Sequence, residues 1–181
     1  MLEAKHQGLP VSAPMFIPFL GALITLKRLP DNAWAEAKVA IAGPIVGGLG
    51  AAAVWGVGEA IDSELLVALA FTGFFLNLFN MAPISPLDGG RIVAAIHPVL
   101  WLFGVLGLLA LVILRPNPIL ILILLVAANE TWHRWKMRRL PEVQAYYKVE
   151  PHRRLLMGLL YFGLAAALVL GMHATHVPRD F

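Results

Sequence analysis

Residues 80–90 read NMAPISPLDGG, directly after the apolar run LVALAFTGFFLNLF at 66–79. The run predicts a helix suited to hydrocarbon, and Pro83 and Pro86 stop it, because proline lacks the N–H and crowds the preceding turn. GGRIVAAIH then predicts a short helix ending at His97, since Pro98 disfavours helical backbone before it. Asp88 therefore stands between two apolar segments. As a helix N-cap it would accept bonds from the first free N–H groups. A charged aspartate within hydrocarbon costs about 2.5–3.5 kcal/mol on insertion scales, so it needs partners. A metal cation or Arg91, three residues on, could serve. Gly89 and Gly90 leave room for another backbone or a substrate to come close.

The surroundings are those of a membrane protein. Hydrophobic residues make up 59% of the 181 and charged residues 14%, against about 25% charged in a soluble domain. The stretches 38–58, 64–82, 98–114 and 153–173 are long enough to cross about 30 Å of hydrocarbon. A fifth, 118–133, is shorter but rich in Ile and Leu. The expected fold class is all-α and polytopic, with about five transmembrane helices. The N-terminus MLEAKHQGLPVSAP has no signal-peptide core or cleavage site, so insertion is expected to use the internal helices. The absence of cysteine excludes disulfides, thiolate ligands and a cysteine nucleophile.

Charge orients the chain. Lys27, Arg28, Lys38, Arg91, Arg134, Lys136, Arg138, Arg139, Lys148, Arg153 and Arg154 fall on one side of five alternating crossings. Arg115 and Arg179 fall on the other, with Glu59, Asp62 and Glu64. By the positive-inside rule the basic side, where NMAPISPLDGG begins, is cytoplasmic. The expected location is the cell membrane, multi-pass, with the lipid bilayer as partner. The basic segment 134–154, flanked by Trp132, Trp135, Tyr146 and Tyr147, could bind nucleic acid or anionic lipid. A juxtamembrane loop at the headgroups is the simpler reading, and no nucleic-acid partner is expected.

Three further features bear on architecture. VSAPMFIPFLGALITL at 11–26 is apolar but broken by Pro14, Pro18 and Gly21, which suggests extended segments around a bend. Open backbone in lipid needs cover from protein or a water-filled cavity. Gly43, Gly47 and Ala51 recur every four residues, with Gly48, Ala52, Gly56 and Ala60 beside them. Small residues so spaced let helix backbones approach closely. Asn77 and Asn80 share a helix face, either to bond a neighbouring helix or to line a polar cavity.

With these residues in place, the chain resembles the site-2 proteases, membrane-embedded zinc metalloproteases. NMAPISPLDGG is similar to their N-x-x-P-x-x-x-L-D-G signature. APMFIPFLGALI, EAKVAIAGPIVGGLGA and TGFFLNLFNMAP resemble bacterial members in order and spacing, over nearly the whole chain from about Gly8. The resemblance implies a single membrane-embedded peptidase-type domain over 1–181 that hydrolyses peptide bonds of transmembrane protein substrates. It implies zinc as cofactor, with Asp88 as a ligand and Asn80 as the motif asparagine. Segment 15–26, containing Phe19 and Gly21, would pair with an unwound substrate, whose freed backbone groups need partners. Asn77 and Asn80 are further candidates to hold substrate backbone or the oxyanion.

One departure matters. The family's HExxH, which supplies two histidine ligands and the glutamate base, is absent from these residues. A catalytic zinc needs about three protein ligands and an open position. His97 lies nine residues from Asp88, about 13 Å along a helix. His173 and His176 fall beyond the last helix on the opposite side. His133 and His152 lie in the basic segment, where Glu130 and His133 read as an interfacial cluster. His6 lacks both a partner histidine and an adjacent glutamate. The expectations are a shortened copy of a protease, inactive as it stands with weak or no zinc, or a degenerate homologue that binds membrane segments without cutting them. A transporter or structural membrane protein is the unrelated alternative, and oligomeric state is not legible.

Overall fold

A computed structural model describes residues 31–176 and the backbone of 15–17 and 21–23. Two three-residue strands, β1 (Met15–Ile17) and β2 (Gly21–Leu23), pair antiparallel. Met15 stands opposite Leu23 and Ile17 opposite Gly21. Helices follow: α1 (Ala33–Ala60), α2 (Glu64–Asn80), α3 (Asp88–Ile96), α4 (Leu100–Leu114), α5 (Pro118–Met137), α6 (Pro141–Tyr146) and α7 (Pro151–Ala174).

Local chemistry sets the boundaries. Asn32 caps α1 by accepting from the Ala35 N–H at 2.9 Å, and Ser63 caps α2 through the Leu66 N–H. Asn117 caps α5, with Pro118 in its first turn, where a missing N–H does no harm. The reversal between α1 and α2 passes through Asp62 at φ 50°, a left-handed conformation that aspartate tolerates. Helix α1 begins five residues before the apolar stretch predicted it. Its polar first turns are held by the cap and by a partner for Glu36 described below.

Helices α1 and α7 are long and apolar enough to cross a membrane by length and composition. Helices α2 and α4, with 17 and 15 residues, are shorter apolar elements. The predicted starts of α2 and α5 agree with the structure, whereas α5 runs on through the basic residues to Met137. Side chains around the outside are strongly apolar and open: Leu65 is 70% exposed, Ile113 71% and Leu170 67%. An extensive surface of this kind is costly in water and suits hydrocarbon.

The core forms where α1 meets α2, α3 and α7. Small residues make this close approach possible. A Cβ on Gly47 would overlap the Asn77 carboxamide, one on Gly73 would reach Ala51, and one on Gly48 would meet Leu168. Gly56, expected beside this seam, has nothing within 4 Å. Helices α4 and α5 form a second pair around Ile84, Leu108 and Ala127. The 81–87 turn lies between the two groups, and the Pro83 carbonyl packs where a side chain on Gly104 would sit.

Candidate functional site

The turn that carries Asp88 is tightly built. Proline at 83 and 86 removes two backbone donors, and the remaining N–H groups of Ile84 and Leu87 bond within the turn at 2.7 and 2.9 Å. Gly89 and Gly90 begin α3 directly against this turn. A Cβ on Gly89 would overlap the Met81 and Ala82 carbonyls, and one on Gly90 would lie 2.5 Å from the Ile84 carbonyl. The close approach that the two glycines promised is therefore made by the chain's own backbone. Two distant side chains pin the turn. Tyr161 of α7 donates its hydroxyl to the Met81 carbonyl at 2.6 Å, and Trp101 of α4 donates its indole N–H to the Gly90 carbonyl at 2.7 Å.

Asp88 is the first residue of α3, and Leu87 occupies the cap position without a side-chain bond. Its carboxylate instead accepts from Asn80 Nδ2 at 2.6 Å, across the turn from the end of α2. Capping thus does not describe this aspartate. A Cβ on Gly43 of α1 would lie 3.2 Å from Asp88 Oδ2, and Gly43 is itself exposed. The carboxylate is therefore half-buried yet approachable over α1, where the chain has no side chain. Burial pushes the Asp88 carboxyl above the usual carboxylate range, opposed by the positive charge of Arg91 and the Asn80 bond. Arg91 does not close a contact pair with it. Its guanidinium lies 3.7 Å from Glu36.

The other candidates fall in separate places. Asn77 lies one turn before Asn80 and donates Nδ2 to the Gly73 carbonyl of its own helix at 2.8 Å. Gly21 opens β2, and Phe19 lies outside the described residues, as does His6. His97 ends α3, where Nδ1 accepts from the Val99 N–H at 3.3 Å. His173 and His176 are exposed at the end of α7, the latter against the Phe71 ring. His152 pairs with Glu150, and Glu130 bonds Arg134 at 2.8 Å. Among the described residues no three His, Cys, Asp or Glu side chains gather to hold a metal. These residues offer zinc one carboxylate where about three protein ligands are needed. They do not fit a zinc centre, and no reaction step through zinc follows from them.

A polar network at the same end of the bundle was not anticipated. Tyr146 donates to Glu36 at 2.6 Å, while Arg134 donates to Glu130 and to the Tyr147 hydroxyl. Burial and the Glu36 carboxylate hold the Tyr146 hydroxyl protonated well above the ordinary phenol range. Both tyrosines thus turn inward, whereas Trp132 and Trp135 remain exposed, as interfacial anchors do. The only signal in the sequence was the Tyr-Tyr pair itself, which fits either role.

The fold and site together define an apolar helical bundle holding a semi-buried carboxylate beside an amide, on a proline-shaped turn. The chain is similar to a protein named zinc metalloprotease from Methanocaldococcus jannaschii, with 30% identity over 98 residues. The match covers 51% of this chain and 28% of that protein, so the chain spans under a third of its relative. No family model matches the sequence, and no solved structure matches it.

Proposed function

We propose that the chain is the aspartate-bearing part of an intramembrane zinc metalloprotease of site-2 type. The observation that carries this reading is Asp88, held by Asn80 and left approachable beside the side-chain-free Gly43. An aspartate placed for structure alone would be capping α3 or closed in an ion pair. This one has a single side-chain hydrogen bond among the described residues and an open flank. The LDGG signature and the similarity to a zinc metalloprotease support the same reading. Zinc would be the cofactor, with Asp88 one ligand and the other ligands drawn from outside the described residues.

In this reading five helices cross the bilayer, α1, α2, α4, α5 and α7, with the basic loops cytoplasmic. Helix α2 ends at the 81–87 turn, and that turn packs against α4 at Gly104. Asp88 then lies at membrane depth near the cytoplasmic side, where transmembrane substrates would be unwound and cut. Asn80 orients the Asp88 carboxylate. Asn77 and segment 15–26, with Phe19 and Gly21, would hold substrate backbone, since a cleaved helix must first surrender its internal hydrogen bonds.

A second reading is a homologue that binds membrane segments without cutting them. HExxH is absent from the 181 residues. The reading frame upstream of Met1 separates the two. If it encodes HExxH, Asp88→Asn in the longer product abolishes cleavage of a membrane substrate and lowers its zinc content. Full activity in that variant would refute the ligand assignment.

A further inference from the structure

A cavity of about 530 Å³ opens at the basic end of the bundle between α4, α5, α6 and the start of α7, and Asp88 is not among its lining residues. Its size is typical of small-ligand sites, and its lining is chemically lopsided. Arg134, Arg138, Lys148 and Arg154 line it together with Trp101 and Trp135, and no lining residue is acidic. Arg134 is already matched by Glu130. Arg154 donates to the carbonyls of Val149 and Tyr147, which orients its guanidinium but leaves its charge unneutralised by a carboxylate there. Arg138 stacks over the Trp135 ring at 3.6 Å.

A second observation is independent of charge. Thr131 lines the cavity and is 8% exposed, yet its hydroxyl has no hydrogen-bond partner among the described residues. A buried hydroxyl left unpaired is unfavourable, and such orphans in native structures call for a ligand or water. The exposed part of the lining is mixed, with Val99, Leu102 and Trp135 offering apolar surface beside Arg138, Gln144 and Lys148. An occupant must therefore combine an anionic, hydrogen-bonding head with an apolar tail that leaves past the apolar side chains.

We propose that this cavity binds the headgroup of an anionic phospholipid from the adjacent leaflet. Phosphate oxygens would meet Arg138, Lys148 and Arg154 and accept from the Thr131 hydroxyl, while an acyl chain runs out along Leu102. Basic pockets between membrane helices on the cytoplasmic side suit this class of ligand. The proposal does not depend on proteolysis.

The test is native mass spectrometry of the 181-residue chain in neutral detergent, titrated with phosphatidylglycerol or phosphatidylcholine. At least tenfold tighter retention of phosphatidylglycerol is expected. The double variant Arg138→Gln/Lys148→Gln should reduce that preference at least fivefold. Thr131→Val should weaken phosphatidylglycerol severalfold while the lipid-free protein melts at the same temperature or about 2–4 °C higher, since an unpaired hydroxyl is removed. Equal retention of the two lipids overturns the proposal. So does a preference untouched by all these variants, which would place the lipid elsewhere on the basic face. Thermal stabilisation by inorganic phosphate as large as that by phosphatidylglycerol would assign the cavity to free phosphate instead.

Discussion

Replacing Gly47 by alanine tests the packing that positions the site. The new Cβ would fall 2.6 Å from Asn77 Nδ2 and 2.7 Å from its Cγ, with Oδ1 closer still. Since contacts are comfortable at about 3.5–4.0 Å, the carboxamide must move by about 1 Å. That movement breaks its 2.8 Å bond to the Gly73 carbonyl, a loss of about 0.5–1.5 kcal/mol. Overpacking adds about 1–3 kcal/mol, and the better helix propensity of alanine returns about 1 kcal/mol. The expected net destabilisation is about 0.5–3.5 kcal/mol, or about 1–14 °C in melting temperature for a chain of this size. Gly50, on the same helix with nothing within 4 Å, is the control: alanine there should be neutral or stabilising. In an Asn77→Ala background the obstacle is gone, and Gly47→Ala should become neutral or favourable. Thermal unfolding of the four proteins of the cycle in detergent measures the coupling. A Gly47→Ala penalty that persists undiminished without the Asn77 side chain would refute the reasoning, as would equal effects at positions 47 and 50.

Other expectations follow from single contacts. Tyr161→Phe leaves the buried Met81 carbonyl without its hydroxyl donor and should cost about 1–3 kcal/mol, read by the same unfolding assay; no change would mean that the turn is not pinned from α7. Tyr146→Phe removes a donor from Glu36, a bond to a charged group worth about 1.5–3 kcal/mol, and its loss should appear as faster hydrogen exchange in α6 and the first turns of α1. Gly43→Leu would cover the Asp88 carboxylate; in a longer product carrying HExxH it should lower cleavage at least tenfold while the melting temperature stays near that of the parent. Unimpaired cleavage there would show that substrate and metal reach Asp88 from another side. Elemental analysis of the 181-residue chain should give well under one zinc per chain, and a stoichiometric reading would overturn the present view of the donor set.

Helix boundaries were legible where they rest on local chemistry. Ser63 and Asn117 cap the helices that the apolar runs announced, and Pro98 closes the short helix at His97. Span length was less legible. Hydropathy marks where apolar residues stop, but α5 continues through its basic residues because Arg134 finds Glu130 one turn back. The role of Asp88 divides in the same way. Its place on a proline-bounded turn can be read from LDGG and its neighbours. That it is bonded by Asn80 and does not cap α3 depends on the turn bringing residues 80 and 88 together.

The sequence by itself marked the apolar helices and the prolines that end them, because both act over a few residues and are written in consecutive positions. The structure decided what surrounds the aspartate. Tyr161 reaches Met81 and Tyr146 reaches Glu36 across 80 and 110 positions. Gly43 and Gly47 matter through what packs against them, which spacing along one helix cannot name. Local propensity is additive along the chain, whereas these contacts exist only once separate helices have packed. The basic cavity likewise takes its cations from one stretch, 134–154, but it is closed only when Trp101 and Leu102 of α4 pack against that stretch.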